Sequence, residues 1–186
     1  MELLEVLRKR RAVREYTDVS IERSVVQRII SSAIFAPSAI NAQPWVFAVI
    51  LDRIRIEEYG QRAKHWSLSN FAQARFTPEL RTMLEDPNLA IFYHAPALVM
   101  VIARTAETQA AEDCCLVAEN FMLAARDEAL GTCWIGLARP WLNLAATKAE
   151  LSLPNEYRVI APIVLGHPKF WPESVGRNPA EIYWLG

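Results

Sequence analysis

Apolar residues recur along the chain in two rhythms, and the switches between them predict the elements. Residues 2–10 place Leu3, Leu4 and Leu7 on one face of a short helix, whose basic last turn suits the negative end of the helix dipole. A second helix is expected from Ser20 as N-cap, with Glu22 in its first turn. Val25, Val26, Ile29, Ile30, Ala33 and Ile34 then repeat at helical spacing. Pro37 ends it, because a residue before proline is pushed out of the helical region. Residues 45–51 and 97–103 are unbroken apolar runs and read as buried strands. Residues 52–64 suit a helix, which Gly60 weakens. Residues 65–94 mix aromatic and polar positions with two prolines and no regular period, as expected of short helices forming a lid.

The C-terminal half is clearer. Residues 112–130 form a helix in which Cys115, Leu116, Ala118, Phe121, Met122, Leu123, Ala124 and Ala125 leave a narrow polar edge. A helix apolar nearly all round is normally covered on all sides, here by the domain's own sheet and by a second subunit. Gly131 is expected to terminate it as the C′ residue. Residues 132–135 suit a short strand, 141–151 a helix, and 158–165 a strand whose Pro162 implies an edge or a bulge. Residues 180–185 read as extended, with no partner in the obvious order. No repeat or linker divides residues 1–186, so a single domain is expected. Strands and helices that do not alternate regularly place the fold in the α+β class.

Composition narrows the function. The formal charge is −1 and the isoelectric point near 6.3, without the basic excess of a nucleic-acid binder. Hydrophobic residues make up 52% of the chain, yet no run reaches the ~20 residues of a membrane-spanning helix. The first residues have no signal-peptide character, and a cytoplasmic protein is expected. Cys114, Cys115 and Cys133 match no zinc spacing and suit reduced thiols.

Three segments could carry chemistry. RKRRAVREY, residues 8–16, gathers Arg10, Arg11 and Arg14 just after a helix, where guanidinium forks could cradle a phosphate. Solvated arginines that compensate a helix dipole would look the same. APSAINAQPW, residues 36–45, is a loop of small and amide residues. Asn41 and Gln43 could read the edge of a heteroaromatic ring, and Ser38 and Ala39 would let backbone approach a planar ligand. A capping loop with satisfied amides is the alternative. LGTCWIG, residues 130–136, followed by VLGHP, residues 164–168, offers glycines at strand ends, where backbone can approach a ligand closely.

In this order and spacing, the segments closely resemble the FMN-dependent nitroreductase family over nearly the whole chain, and match least well at residues 65–94. The resemblance implies a three-layer α+β sandwich around a mixed or antiparallel sheet. It also implies an intimate homodimer with FMN at the subunit interface and a C-terminal tail reaching across to the partner. Carried over, Arg10, Arg11 and Arg14 would grip the phosphate, ribityl chain and pyrimidine end. Pro37, Ser38, Ala39 and Asn41 of the partner chain would line the isoalloxazine site. Ile135 and Gly136 would bring backbone near the reactive nitrogen, and Arg177 in GRNP would close on the phosphate. At position 12 the family commonly has Ser; here Ala12 can contribute only its backbone N–H.

The resemblance further implies ping-pong transfer from NADH or NADPH through FMN to a small aromatic acceptor such as a nitroaromatic or quinone. The cofactor does the hard chemistry and the protein positions it, with Arg14 stabilising the reduced flavin. No protein residue is expected to be catalytic in its own right, since His65, His94 and His167 are scattered. Trp66, Phe71 and Phe76 are candidates for stacking on the acceptor, although ordinary packing would use the same residues. Ene reduction, reductive dehalogenation or flavin fragmentation on the same scaffold, a non-catalytic flavin-binding role, and a colourless interaction module with surface arginines are the competing readings.

Overall fold

The computed structural model describes residues 2–71, 77–174 and 176–186. Among these, four strands form one antiparallel sheet: β1 (Trp45–Ile50), β2 (Ala97–Ala103), β3 (Gly131–Trp134) and β4 (Arg158–Gly166), in the order β1-β2-β4-β3. The helices are α1 (Leu3–Lys9), α2 (Arg23–Ala33), α3 (Arg53–Ser69), α4 (Pro78–Glu85), α5 (Thr108–Asp127), α6 (Arg139–Leu142) and α7 (Ala145–Glu150).

β2 explains the layering. Every residue in it is buried, because both faces of the sheet are covered. Ala97, Val99, Val101 and Ala103 face a core shared with Ile29 of α2 and Phe121 of α5. Leu98, Met100 and Ile102 face the opposite core, with Ile56 and Tyr59 of α3, Leu84 of α4 and Leu142 of α6. Alternation with period two therefore persists inside an apolar run. The result is the expected α+β architecture, helices on both faces of an antiparallel sheet.

Several boundaries differ from expectation. α2 begins at Arg23 with Glu22 as N-cap and no side-chain cap bond, two residues beyond the cap expected at Ser20. Asp52 caps α3 through Ile54 N and Arg55 N, and α3 continues to Ser69, past Gly60. Gly60 is useful there: a Cβ would lie 3.3 Å from Phe92 Cδ2. α5 ends without glycine at C′. Ala129 takes the left-handed position (φ 56°), Leu130 N–H donates to Ala125 O at 2.8 Å and Ala129 N–H to Arg126 O at 3.1 Å. Gly131 instead opens β3.

The helix expected over 141–151 is two helices broken at Asn143. Its amide donates to Val159 O and accepts from Val159 N, both at 2.9 Å, so the side chain acts as a strand partner to β4. Pro162 lies in a central strand rather than an edge, but a register shift does occur nearby, opposite Val101 and Ile102. Pro162 O accepts from Ile135 N at 2.7 Å, so its missing N–H faces the side where β3 ends at Trp134. The tail over 176–186 is exposed and lies outside regular structure.

Candidate functional site

The arginine segment is placed by backbone pairing along β3. Ala12 bridges Thr132 in parallel, Val13 N–H donates to Thr132 O at 2.9 Å, and Thr17 N–H donates to His167 O at 2.8 Å. LGTCWIG and VLGHP therefore hold the outgoing strand of RKRRAVREY, an association that spacing alone did not reveal. A methyl at Gly131 would come within 2.7 Å of Val13 Cγ2, so this glycine permits the contact.

The three arginines are used differently. Arg10 Nε lies 3.4 Å from Glu119 of α5. Arg11 Nη1 donates to Arg10 O at 2.5 Å, and Nη2 donates to the Ser174 hydroxyl. Its Nε is buried without a hydrogen-bond partner among the described residues. Arg14 is exposed, with its guanidinium 5.9 Å from the centroid of the Tyr93 ring.

Arg14 and Tyr93 line a cavity of about 260 Å³ with Cys133, Trp134, Ile135, Gly136 and Leu137. Leu80 and Met83 of α4 complete its wall with Leu89 and Ile91. Ile135 is buried, while a Cβ on Gly136 would meet nothing within 4 Å, so that backbone faces open space. Burial raises the Cys133 thiol pKa, and nearby Arg14 and Arg10 only partly oppose it. Cys133 is therefore a protonated wall group rather than a nucleophile.

Tyr93 and His94 are consecutive left-handed residues, at φ 52° and 51°. For side-chain-bearing residues this costs roughly 1–2 kcal/mol each. Arg53 Nη2 donates to His94 O at 2.9 Å, and His94 Nδ1 lies 3.1 Å from Glu57 Oε2, which hold the turn in place. Tyr93 was not apparent as a site residue, because nothing in its sequence neighbourhood marks a strained turn.

The Pro37, Ser38, Ala39 and Asn41 loop lies at α5's other end. Ala39 N–H donates to the buried Asp113 carboxylate at 3.2 and 3.4 Å, and Gln43 N–H to Ser38 Oγ at 3.0 Å. Asn41 Oδ1 accepts from Gln43 Nε2 at 3.0 Å. Ile40, Asn41 and Gln43 all have positive φ, so the loop is held in a strained form. Asp113 was missed, although a lone acid on the apolar face of a buried helix is a readable signal. The bonds described for this loop stay within it and α5; they do not bring it to the Arg14 cavity of the same chain.

The substrate candidates separate. Trp66 lines a different groove, of about 570 Å³, with Arg62, His65 and Trp141. Phe71 packs under Arg81, whose guanidinium is 5.4 Å from its ring centroid. Neither is among the residues lining the Arg14 cavity. Phe76 lies outside the described residues. Arg177 sits in the exposed tail, where its Nη1 donates to Gly176 O at 3.4 Å.

Residues 7–167 match the model of the nitroreductase family. The chain belongs to the nitroreductase family. Its fold is shared with the FMN-bound nitroreductase of Bacteroides fragilis, at a TM-score of 0.84 and 25% identity with both chains fully covered. A protein of Archaeoglobus fulgidus provisionally named NADH dehydrogenase/NAD(P)H nitroreductase is 28% identical over 186 residues, 98% of this chain and 97% of its own. The 5,6-dimethylbenzimidazole synthase of Rhodobacter capsulatus is 29% identical over 190 residues, covering 92% of this chain and 86% of its own. The chain is thus similar to proteins named for more than one reaction. Among the described residues, no helix is long and apolar enough to cross a membrane.

Proposed function

We propose that this chain is an FMN-dependent NAD(P)H oxidoreductase that works as a homodimer and reduces a small aromatic acceptor such as a nitroaromatic or a quinone. The observation that carries this reading is the convergence of Arg14, Tyr93 and the Ile135–Gly136 backbone on one cavity, with Arg10 and Arg11 beside it in sequence. The residues present fit the cofactor. Arg11 has a buried Nε free to donate, as a phosphate oxygen would require, and the cavity is lined largely by apolar side chains, as a ring system would require. Bound there, FMN would supply the carrier that passes electrons from a nicotinamide donor to an acceptor.

The chain's own contribution is positioning. Arg10 and Arg11 would hold the phosphate, with Arg177 drawn in from the tail. Arg14 would place positive charge at the ring's polar end, and the open Gly136 backbone would allow close approach. Leu80 and Met83 of α4, rather than Trp66 or Phe71, are best placed to meet an acceptor from above. Pro37, Ser38, Ala39 and Asn41 would serve the partner's site. Apolar residues left uncovered on one chain support that dimer: Leu3, Leu4 and Leu7 of α1, Leu116 of α5, and Tyr183, Trp184 and Leu185 of the tail.

The deciding experiment is a visible absorption spectrum of the purified protein with identification of any released cofactor. About one FMN per chain, together with NAD(P)H oxidation driven by a nitroaromatic or quinone, is the expected result. A colourless protein that takes up no added FMN would sink the reading. Likeness to a dimethylbenzimidazole synthase keeps one other flavin reaction in view. Formation of 5,6-dimethylbenzimidazole from added reduced FMN under air, without acceptor reduction, would favour it.

A further inference from the structure

One basic side chain near the arginine segment has no role in the reading above. Arg126, in the last turn of α5, stacks its guanidinium on Trp171 with its carbon 3.5 Å from the ring centroid. Its Nε is buried without a hydrogen-bond partner among the described residues, as is the Nε of Arg11. The two side chains meet the same C-terminal segment: Arg126 on Trp171, and Arg11 on the Ser174 hydroxyl three residues later. Burial lowers the Arg126 pKa, Glu5 partly restores it, and the Arg11 charge lowers it further. The nearby carboxylate is already engaged, since Lys9 Nζ donates to Glu5 Oε1 at 2.5 Å. Arg10 is likewise paired with Glu119. Two neighbouring guanidiniums therefore carry buried, unmatched donors, and no carboxylate bridges them among the described contacts.

We propose that Arg126 and Arg11 together bind a phosphate monoester, with Arg126 as a further phosphate-gripping residue of the site and Trp171 as the platform that orients it. This rests on the flavin reading for the identity of the ligand, which would be the phosphate of FMN. A dianion between the two guanidiniums relieves their mutual repulsion and accepts from both orphaned Nε groups.

The test compares FMN with riboflavin, which has the same ring and no phosphate. Binding of each to apoprotein is followed by quenching of flavin fluorescence in the wild type, Arg126→Gln and Arg126→Lys. The expected result is a rise of about tenfold or more in the FMN Kd for Arg126→Gln. Riboflavin affinity should stay unchanged, and Arg126→Lys should recover part of the loss. Equal weakening of both flavins would reduce Arg126 to a structural role and overturn the proposal, as would no change in either. A wild type that binds neither flavin removes the cofactor reading instead. Thermal stabilisation by inorganic phosphate then decides: stabilisation lost in Arg126→Gln keeps a phosphate site for another ligand, and no Arg126-dependent stabilisation overturns it.

Discussion

At Gly131 the absence of a side chain lets two segments touch. Val13 approaches so closely that an added methyl would sit 2.7–2.9 Å from its three nearest side-chain carbons. β-branched Val13 cannot swing aside freely, and Val13 is followed directly by Arg14. Gly131→Ala should therefore cost about 1–3 kcal/mol, as overpacking of a tight contact does. Urea denaturation would measure it. The Val13→Ala, Gly131→Ala double variant should be more stable than the sum of the two single effects, because the vacated space receives the new methyl. Strict additivity would show that the crowding is not between these two residues. The role of this glycine was misread from sequence: a glycine after a helix suits a C′ residue, and only the fold shows Ala129 taking that position.

Among the elements, legibility followed how far local pattern outweighed long-range contact. β1, β2 and α5 were readable because long apolar runs or helical spacing suffice. The break at Asn143 was not, since its reason lies in Val159, sixteen residues away. Among the described residues of 65–94, 65–69 end α3 and 78–85 form α4, so the helical period there belongs to two separate elements. Of the residues lining the Arg14 cavity, Arg14, Ile135 and Gly136 stand in motifs of the sequence, whereas Tyr93, Leu80 and Met83 reach it only through tertiary packing.

The link between α3 and α7 gives a prediction on pH. Glu150 accepts from Arg62 at 3.0 and 2.8 Å and from the Tyr59 hydroxyl at 3.0 Å. The Arg62 hydrogen bond, aided by that of Tyr59 and opposed by burial, holds the Glu150 carboxyl below its ordinary value of 4.5. Such a group binds fewer protons folded than unfolded, so its stabilisation is complete above 4.5 and declines as pH falls through the lowered folded value. Wild type should be more stable than Glu150→Gln at pH 7, with the gap in Tm narrowing only below about pH 4.5. A gap that stayed constant down to pH 3 would mean that the charge on Glu150 does not hold these helices together.

For the molecule as a whole, the unexplained quantity is uncovered apolar surface. Trp184 is 88% exposed and Leu185 95%, in a tail that no element of its own chain covers, while Leu116 stands out from the middle of α5 at 46%. A stable dimer buries roughly 1,200–2,000 Å² in total, and uncovered aromatic and aliphatic residues on α1, α5 and the tail are suitable material for it. Leu116 separates association from folding, because it is already half exposed in one chain. Leu116→Arg should leave the far-UV circular dichroism intact and shift the sedimentation coefficient from dimer to monomer, since a buried unpaired charge at an interface is costly. If the partner's 37–41 loop completes each site, flavin should be lost in step with dissociation. A variant that remains dimeric would place the interface elsewhere. A monomer that still holds FMN tightly would show that one chain, with its own arginines and the Ile135–Gly136 backbone, forms a sufficient site.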